Sequence, residues 1–375
     1  MSKQTDKTNL STSTIAVHAG GIKAEQGEPL SQSPVFASTF HLSGELPIDN
    51  YQYGRFSHPN WDALEHTLAE LEGGKSLVFP SGMAAGAAIM TALLEPGDTV
   101  VLPQDGYQPM VTYANTYLAK FGVKVETVAT LDLLSYDYTG VKLVFIESPS
   151  NPLLDVVDIK KLADRVHQKG GLLAIDNTTC TPIGQQPLAF GADISMCADT
   201  KALNGHSDAL FGHVACKDEG IYEQIALWRK LSGSICGPME TFLVQRGLAT
   251  LDMRLERMCN NALKVAEYLK AHDKVKSIRY PGLASDPSHQ LATAQMYYLG
   301  FIISFDLGSL DAANQFLQSS NLIIEATSFG SVHTMGERRA RWGTDDVPAG
   351  LVRLSVGCEK VDDLLADIEL ALEVV

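Results

Sequence analysis

Lys201 is the residue whose placement points most directly to chemistry. It stands in Asp199-Thr200-Lys201, just past the short apolar run Ile194–Cys197, which reads as a buried strand. Burying an unpaired ammonium is costly, so a lysine at such a strand end loses its proton readily and becomes a nucleophile. An imine with an aldehyde cofactor is the natural use of that amine, and a surface loop lysine is the plain alternative. Asp176 directly follows Leu172-Leu173-Ala174-Ile175. A carboxylate ending a buried strand needs a cationic partner. The protonated ring nitrogen of pyridoxal phosphate is one, and the pairing keeps that ring an electron sink. A Mg²⁺ ion or a ribose hydroxyl would serve Asp176 as well.

Ser81-Gly82-Met83 joins a short apolar run to a helix beginning near Ala84. Free amides at a helix start, beside a glycine that permits close approach, suit a phosphate, although an ordinary serine N-cap reads the same way. Thr200 can add a hydroxyl to that phosphate. Tyr107 and Tyr53-Gly54-Arg55 fall in loops. The first can stack on a pyridine ring and Arg55 can grip a phosphate, or all of them can simply face solvent. None of these signals decides alone; their combination points to pyridoxal phosphate.

The elements that must position these residues alternate. Strands are predicted at 76–79, 99–102, 123–128, 141–146, 172–175 and 194–197, with helices at 60–71, 83–94, 110–121 and 159–168. Such alternation predicts an α/β fold with a mainly parallel sheet covered on both faces, ligands sitting at the carboxyl ends of its strands. Residues 1–58 read as an extended arm packing on a neighbouring subunit, 59–239 as the cofactor-binding large domain, and 240–375 as a smaller α+β domain. In the last part a long helical run passes through Leu255 and Leu269, followed by a strand at 300–307, a helix at 310–318, a strand at 351–356 and a helix at 361–372.

Composition bounds the rest. A chain of 375 residues with 45% hydrophobic and 19% charged residues is globular and long enough for two domains. A formal charge of −15 argues against nucleic-acid or anionic-membrane surfaces. The six scattered cysteines form no CxxC pair, and the polar N-terminus has no apolar leader core, so a soluble protein with reduced thiols in the cytoplasm is expected. Cys197 and Cys216 read as buried apolar thiols. His206, Asp208 and His213 lie close in sequence but match no zinc spacing, so a hydrogen-bonded turn is expected and no metal.

At this point the chain resembles the Cys/Met-metabolism (trans-sulfuration) family of fold type I pyridoxal-phosphate enzymes. The matching stretches are YGRFSHPN (53–60), FPSGMAA (79–85), ESPSNP (147–152), IDNTTCTP (175–182), TKALNGHSD (200–208), RGLATLDMR (246–254), YPGL (280–283) and RLSVG (353–357). The resemblance implies that Lys201 forms the internal imine, Asp176 pairs with the ring nitrogen, Tyr107 stacks on the ring and Asn151 approaches its phenolic oxygen. It assigns the phosphate to Gly82, Met83 and Thr200, completed by Tyr53 and Arg55 of an adjacent subunit, hence a homotetramer of two catalytic dimers. Arg353 would hold the substrate α-carboxylate, with Thr327 and Ser328 beside it and Ser328 positioning the lysine.

Several positions depart from the family pattern. Ala198 replaces a usual serine, Tyr107-Gln108-Pro109 is closer to the YxP of β-lyases, and Ala202 replaces a tyrosine. Thr327 stands where relatives carry Glu, Tyr or Val, and residues 328–343 differ from the usual SLGGVESL. Trp342 and Arg338-Arg339-Arg341 in that segment either line the entrance or face solvent. The expected activity is cleavage of a carbon–sulfur bond in cystathionine, by β- or γ-elimination, giving a thiol, ammonia and an oxo acid. A γ-replacement transferase of the cystathionine γ-synthase kind and a non-catalytic cofactor-binding regulator are the alternatives.

Overall fold

The computed structural model describes residues 10–19, 26–27, 29–45 and 51–375. Seven strands build the first sheet: β1 (Lys75–Phe79), β2 (Thr99–Pro103), β3 (Lys124–Val128), β4 (Val141–Glu147), β5 (Leu172–Asp176), β6 (Ile194–Cys197) and β7 (Gly212–Cys216), in the order β1-β7-β6-β5-β4-β2-β3. β7 runs antiparallel to both neighbours, while the other pairings are parallel. The carboxyl ends of β1, β2, β4, β5 and β6 therefore share one edge.

The sheet is buried on both sides, which is why its strands read as nearly continuous apolar runs. Leu143 and Phe145 of β4 turn to the face covered by helix Gly82–Leu93, and Val144 and Ile146 turn to the face covered by helix Ile159–His167. Local signals set the helix ends. Helix Pro59–Glu72 has proline in its first turn, His58 Nδ1 accepting from the Asn60 amide at 3.3 Å, and Gly73 left-handed at its end (φ 71°).

A second, five-stranded sheet comprises β8 (Ser277–Arg279), β9 (Ile302–Asp306), β10 (Ile324–Glu325), β11 (Met335–Arg338) and β12 (Leu351–Ser355), ordered β10-β11-β12-β9-β8. Helices Leu251–Ala271, Leu310–Ser319 and Val361–Glu373 share its core with Ile303, Phe305, Val352 and Leu354.

Several features differ from the sequence-based expectation, among them β8, β10, β11 and helix Glu219–Ser232, which were not expected. β7 was not expected, because GHVAC begins with glycine and histidine inside a stretch that reads as a turn. The long run through Leu255 and Leu269 is preceded by a separate helix, Pro238–Leu248. The expected helix at 110–121 is α-helical only over Gln108–Tyr113, then winds as a π-turn over Ala114–Leu118 and a 3₁₀ turn over Ala119–Phe121. The arm contains a short helix, Thr12–Val17, that buries Ala16 beside Trp61 and Leu64 in the first core. Among the described residues, no helix is long and apolar enough to cross a membrane.

Candidate active site

A cavity of about 420 Å³ opens at the carboxyl edge of the first sheet. One wall comes from the loops after β1, β2, β4, β5 and β6, carrying Gly82, Met83, Tyr107, Asn151, Asp176, Thr200 and Lys201; the other, from residues 327–329, Arg339 and Arg353. Ten of the expected residues therefore converge from a sequence span of more than 270 residues. Tyr53 and Arg55 do not. Tyr53 is exposed, and Arg55 donates through Nη1 to the Lys230 carbonyl at 2.7 Å while stacking on Tyr53 and Phe56.

Lys201 sits in the turn after β6, and its Nζ donates to Ser328 Oγ at 2.7 Å, a bond that joins the two walls. The amine also lies 4.9 Å from the centre of the Phe329 ring. Burial, then the nearby Arg353 cation, push its pKa down to about 8, against the opposing pull of Glu337 and Asp176. Ser328 reaches this position with φ of +86°, a left-handed backbone that a serine adopts only when its surroundings hold it. Gly330, two residues on, is also left-handed, and a Cβ there would lie 2.4 Å from the Ala202 amide nitrogen.

Asp176 and Glu147 end neighbouring strands in direct register. Asp176 Oδ1 accepts from the amide of Thr178 at 3.0 Å and from its hydroxyl, and Glu147 Oε1 accepts from the Asn151 amide at 2.9 Å. Burial pushes both carboxyls up, Glu147 well above the carboxylate range with Asp176 adding to it. Burial, then Asp176 and Glu147, also raise the pKa of the Tyr107 phenol. Both acids thus sit where a cation would be welcome.

Arg353 on β12 is buried, yet its guanidinium is fully directed. Nη1 donates to Asn151 Oδ1 at 2.8 Å, and Nη2 donates to the Ser328 carbonyl at 2.9 Å and to Glu337 Oε1. Glu337, its neighbour across β11 and β12, also accepts from Arg339 Nη1 at 2.8 Å and Trp342 Nε1 at 3.0 Å. Burial favours the neutral acid at Glu337, but Arg353, Trp342 and Arg339 outweigh it and hold the group ionised.

Beneath the Lys201 turn lies a second charged group. His213 on β7 contacts Asp199 Oδ1 through Nδ1 at 2.7 Å and Glu72 Oε1 through Nε2 at 3.0 Å, and all three side chains are fully buried. Burial works against a charged ring, but the two carboxylates outweigh it and push His213 up to about 10. His206 and Asp208 stand apart from it in the turn, bonded to the Asn204 carbonyl at 2.7 Å and the Asn204 side-chain amide at 2.8 Å. The sequence grouping of His213 with those two is thus corrected: it belongs to a strand. All six cysteines are unpaired thiols, five of them buried, Cys197 and Cys216 included.

Do these residues fit pyridoxal phosphate? Asp176 is buried, and among the described residues no basic side chain pairs with it, which suits a protonated ring nitrogen. The start of helix Gly82–Leu93 lies on the same wall, brought so close to the Lys201 turn that a Cβ on Gly82 would stand 2.5 Å from Ala198 Cβ. Thr200 Oγ accepts from the Phe211 amide at 2.9 Å and donates to its carbonyl at 3.1 Å. A reactive amine, an unpaired buried acid and a helix start face one space, and a family model of Cys/Met metabolism PLP-dependent enzymes matches residues 13–373. The chain belongs to that family.

Its relatives carry names for several reactions. A Streptomyces coelicolor protein provisionally named a cystathionine gamma-lyase is 46% identical over 370 residues, covering 96% of this chain and 93% of the relative. A cystathionine beta-lyase of Lactococcus lactis subsp. cremoris is 36% identical, covering 97% and 99%. The solved cystathionine gamma synthase of Xanthomonas oryzae pv. oryzae, in complex with aminoacrylate and cysteine, superposes with a TM-score of 0.91 at 34% identity, covering 98% of each chain. This member of the family is thus a PLP-dependent enzyme of mixed α/β fold.

Sequence reasoning missed Glu147, Glu337 and the Glu72–His213–Asp199 group. Glu147 had a usable signal, since it ends an apolar run just as Asp176 does. Of the basic cluster, Arg339 lines the cavity, whereas Arg338 bonds Asn314 and Arg341 pairs with Glu325.

Proposed function

We propose that this enzyme is a lyase that cleaves the carbon–sulfur bond of a sulfur amino acid, with cystathionine as its expected substrate. The observation that carries the reading is the Lys201–Ser328 bond across the cavity, which leaves an easily deprotonated amine between Asp176 and Arg353. Pyridoxal phosphate, when bound, supplies an electron sink for the charge left on the substrate α-carbon. Arg353 binds the α-carboxylate with a guanidinium already anchored by Asn151, Ser328 and Glu337, so little reorganisation is needed. Lys201 Nζ removes the α-proton, and Ser328 Oγ aims it. Asp176 would pair with the ring nitrogen and favour its protonated form, and Asn151 would approach the phenolic oxygen.

Tyr107, kept as a phenol by burial, protonates the departing sulfur as the carbon–sulfur bond breaks. Loss of a β-thiolate needs only the first proton removal, whereas γ-elimination needs a second, from the β-carbon. Water then releases ammonia and an oxo acid. Gly82, Met83 and Thr200 would hold the phosphate. Tyr53 and Arg55, lying outside their own chain's cavity, would complete a neighbour's site in a homotetramer of two catalytic dimers. Thr327, on the cavity wall beside Ser328, would contact the substrate. Six unpaired cysteines suit a cytoplasmic enzyme. The division into an arm (1–58), a large domain (59–239) and a C-terminal domain (240–375) is proposed to follow the two sheets.

The likeness to a cystathionine gamma synthase favours one second reading, γ-replacement. Incubation with cystathionine separates the outcomes: pyruvate marks β-cleavage and 2-oxobutyrate γ-cleavage. Product formed only from an acylated homoserine plus cysteine would mark a synthase. Absence of thiol release from every sulfur amino acid tried would overturn the lyase reading.

A further inference from the structure

The wall facing Lys201 from the second sheet carries two arginines, and an α-carboxylate needs one. Arg339 opens the turn Arg339–Trp342 and lines the same cavity as Arg353, close enough to Tyr107 that its charge acts on the phenol. Its side chain is only 12% exposed. Nε and Nη2 both reach Asp345 Oδ2, at 2.8 and 2.6 Å, and Nη1 donates to Glu337 Oε1 at 2.8 Å. Nε and Nη1 are the nitrogens that donate in these hydrogen bonds, while Nη2 rests against Asp345, so the terminal nitrogens keep N–H groups able to receive a carboxylate. Arg353 and Arg339 share Glu337 Oε1, so the two cations are held at a fixed spacing by one buried acid.

We propose that Arg339 forms a second carboxylate subsite, which selects substrates bearing a carboxylate at each end of the thioether. The proposal rests on the lyase reading and deepens it. Asp345 and Glu337 hold the guanidinium in place, Arg353 takes the near carboxylate, and Arg339 takes the far one. Monocarboxylic sulfur amino acids of similar size leave Arg339 unanswered and bind more weakly.

Turnover and binding test this separately. The holoenzyme is compared on L-cystathionine and its two singly decarboxylated analogues, S-(2-aminoethyl)-L-homocysteine and S-(3-aminopropyl)-L-cysteine. We expect a preference of about tenfold or more in kcat/KM for cystathionine, carried by KM and weakening as salt rises. Arg339→Gln should cut that preference at least about fivefold, and Arg339→Lys should keep part of it because charge survives without the fork. An equal loss on all three substrates would mean that Arg339 merely braces Glu337 and Arg353, and an unchanged preference would mean it is idle; either overturns the proposal. Binding needs no turnover. Suberate, whose carboxylates are separated by as many chain atoms as those of cystathionine, should perturb the cofactor absorbance at lower concentration than its monoamide. That difference should shrink in Arg339→Gln, and equal binding of the two by the unmutated enzyme overturns the subsite. If none of the sulfur substrates turns over, the lyase reading fails while the suberate comparison still judges Arg339.

Discussion

His213→Asn removes a buried cation from between two buried acids, and its cost can be worked from the structure. The ring contacts Asp199 at 2.7 Å and Glu72 at 3.0 Å, and its pKa rises from about 6.5 in an unfolded chain to about 10. That difference is on the order of 5 kcal/mol at pH values where the ring is charged in both states. Burial also pulls Asp199 upward, which takes some of the gain back. Breaking a buried pair by deleting one partner costs about 3–5 kcal/mol, so the two routes agree. The sign follows from the raised folded-state pKa. The contribution is fully present below about pH 6.5, shrinks as pH rises, and is gone above about 10. Urea unfolding of the holoenzyme, wild type against His213→Asn, should show a gap of about 3–5 kcal/mol at pH 6 that closes toward pH 10.5. A gap that stays constant across this range, or widens with pH, refutes the charged-histidine account.

Covalent capture of added cofactor by the cofactor-free enzyme should speed up as pH rises through about 8, where Lys201 loses its proton. Glu337→Gln, which removes a charge that raises the amine's pKa, should move that midpoint lower, as read by stopped-flow absorbance. Arg353→Lys keeps a charge but cannot make two parallel bonds while reaching Asn151, so kcat/KM should fall on the order of 100-fold, mostly through KM. Coexpressed Arg55→Ala and Lys201→Ala chains should recover about a quarter of wild-type activity if sites are completed across a two-fold dimer. No recovery would place the arm's role within its own chain.

The alternating pattern of the first sheet was legible because both its faces are buried, so each strand reads as an apolar run ended by a polar residue. That is why Lys201 and Asp176 stood out. Arg353 and Ser328 were reached only through family resemblance, since nothing local distinguishes an arginine on a half-apolar strand such as LVRLS. Glu337 could not be found from sequence at all. Its meaning depends on the pairing of β11 with β12, which sets it across from Arg353. His213 failed for the same reason: β7 enters the sheet antiparallel between β1 and β6, and its partners Glu72 and Asp199 come from a helix end and a loop. Long-range register, and not composition, decides such groups.

The two walls of the cavity grow from different sheets, and side-chain bonds from Lys201 to Ser328 and from Arg353 to Asn151 join them. Changes at Thr327 and Arg339, which face the cavity, can therefore reshape what is admitted while Ser328 keeps its hold on Lys201 and the strand ends stay as they are. An ancestor built this way can trade one thioether for another by editing a short stretch, its reactive half left untouched.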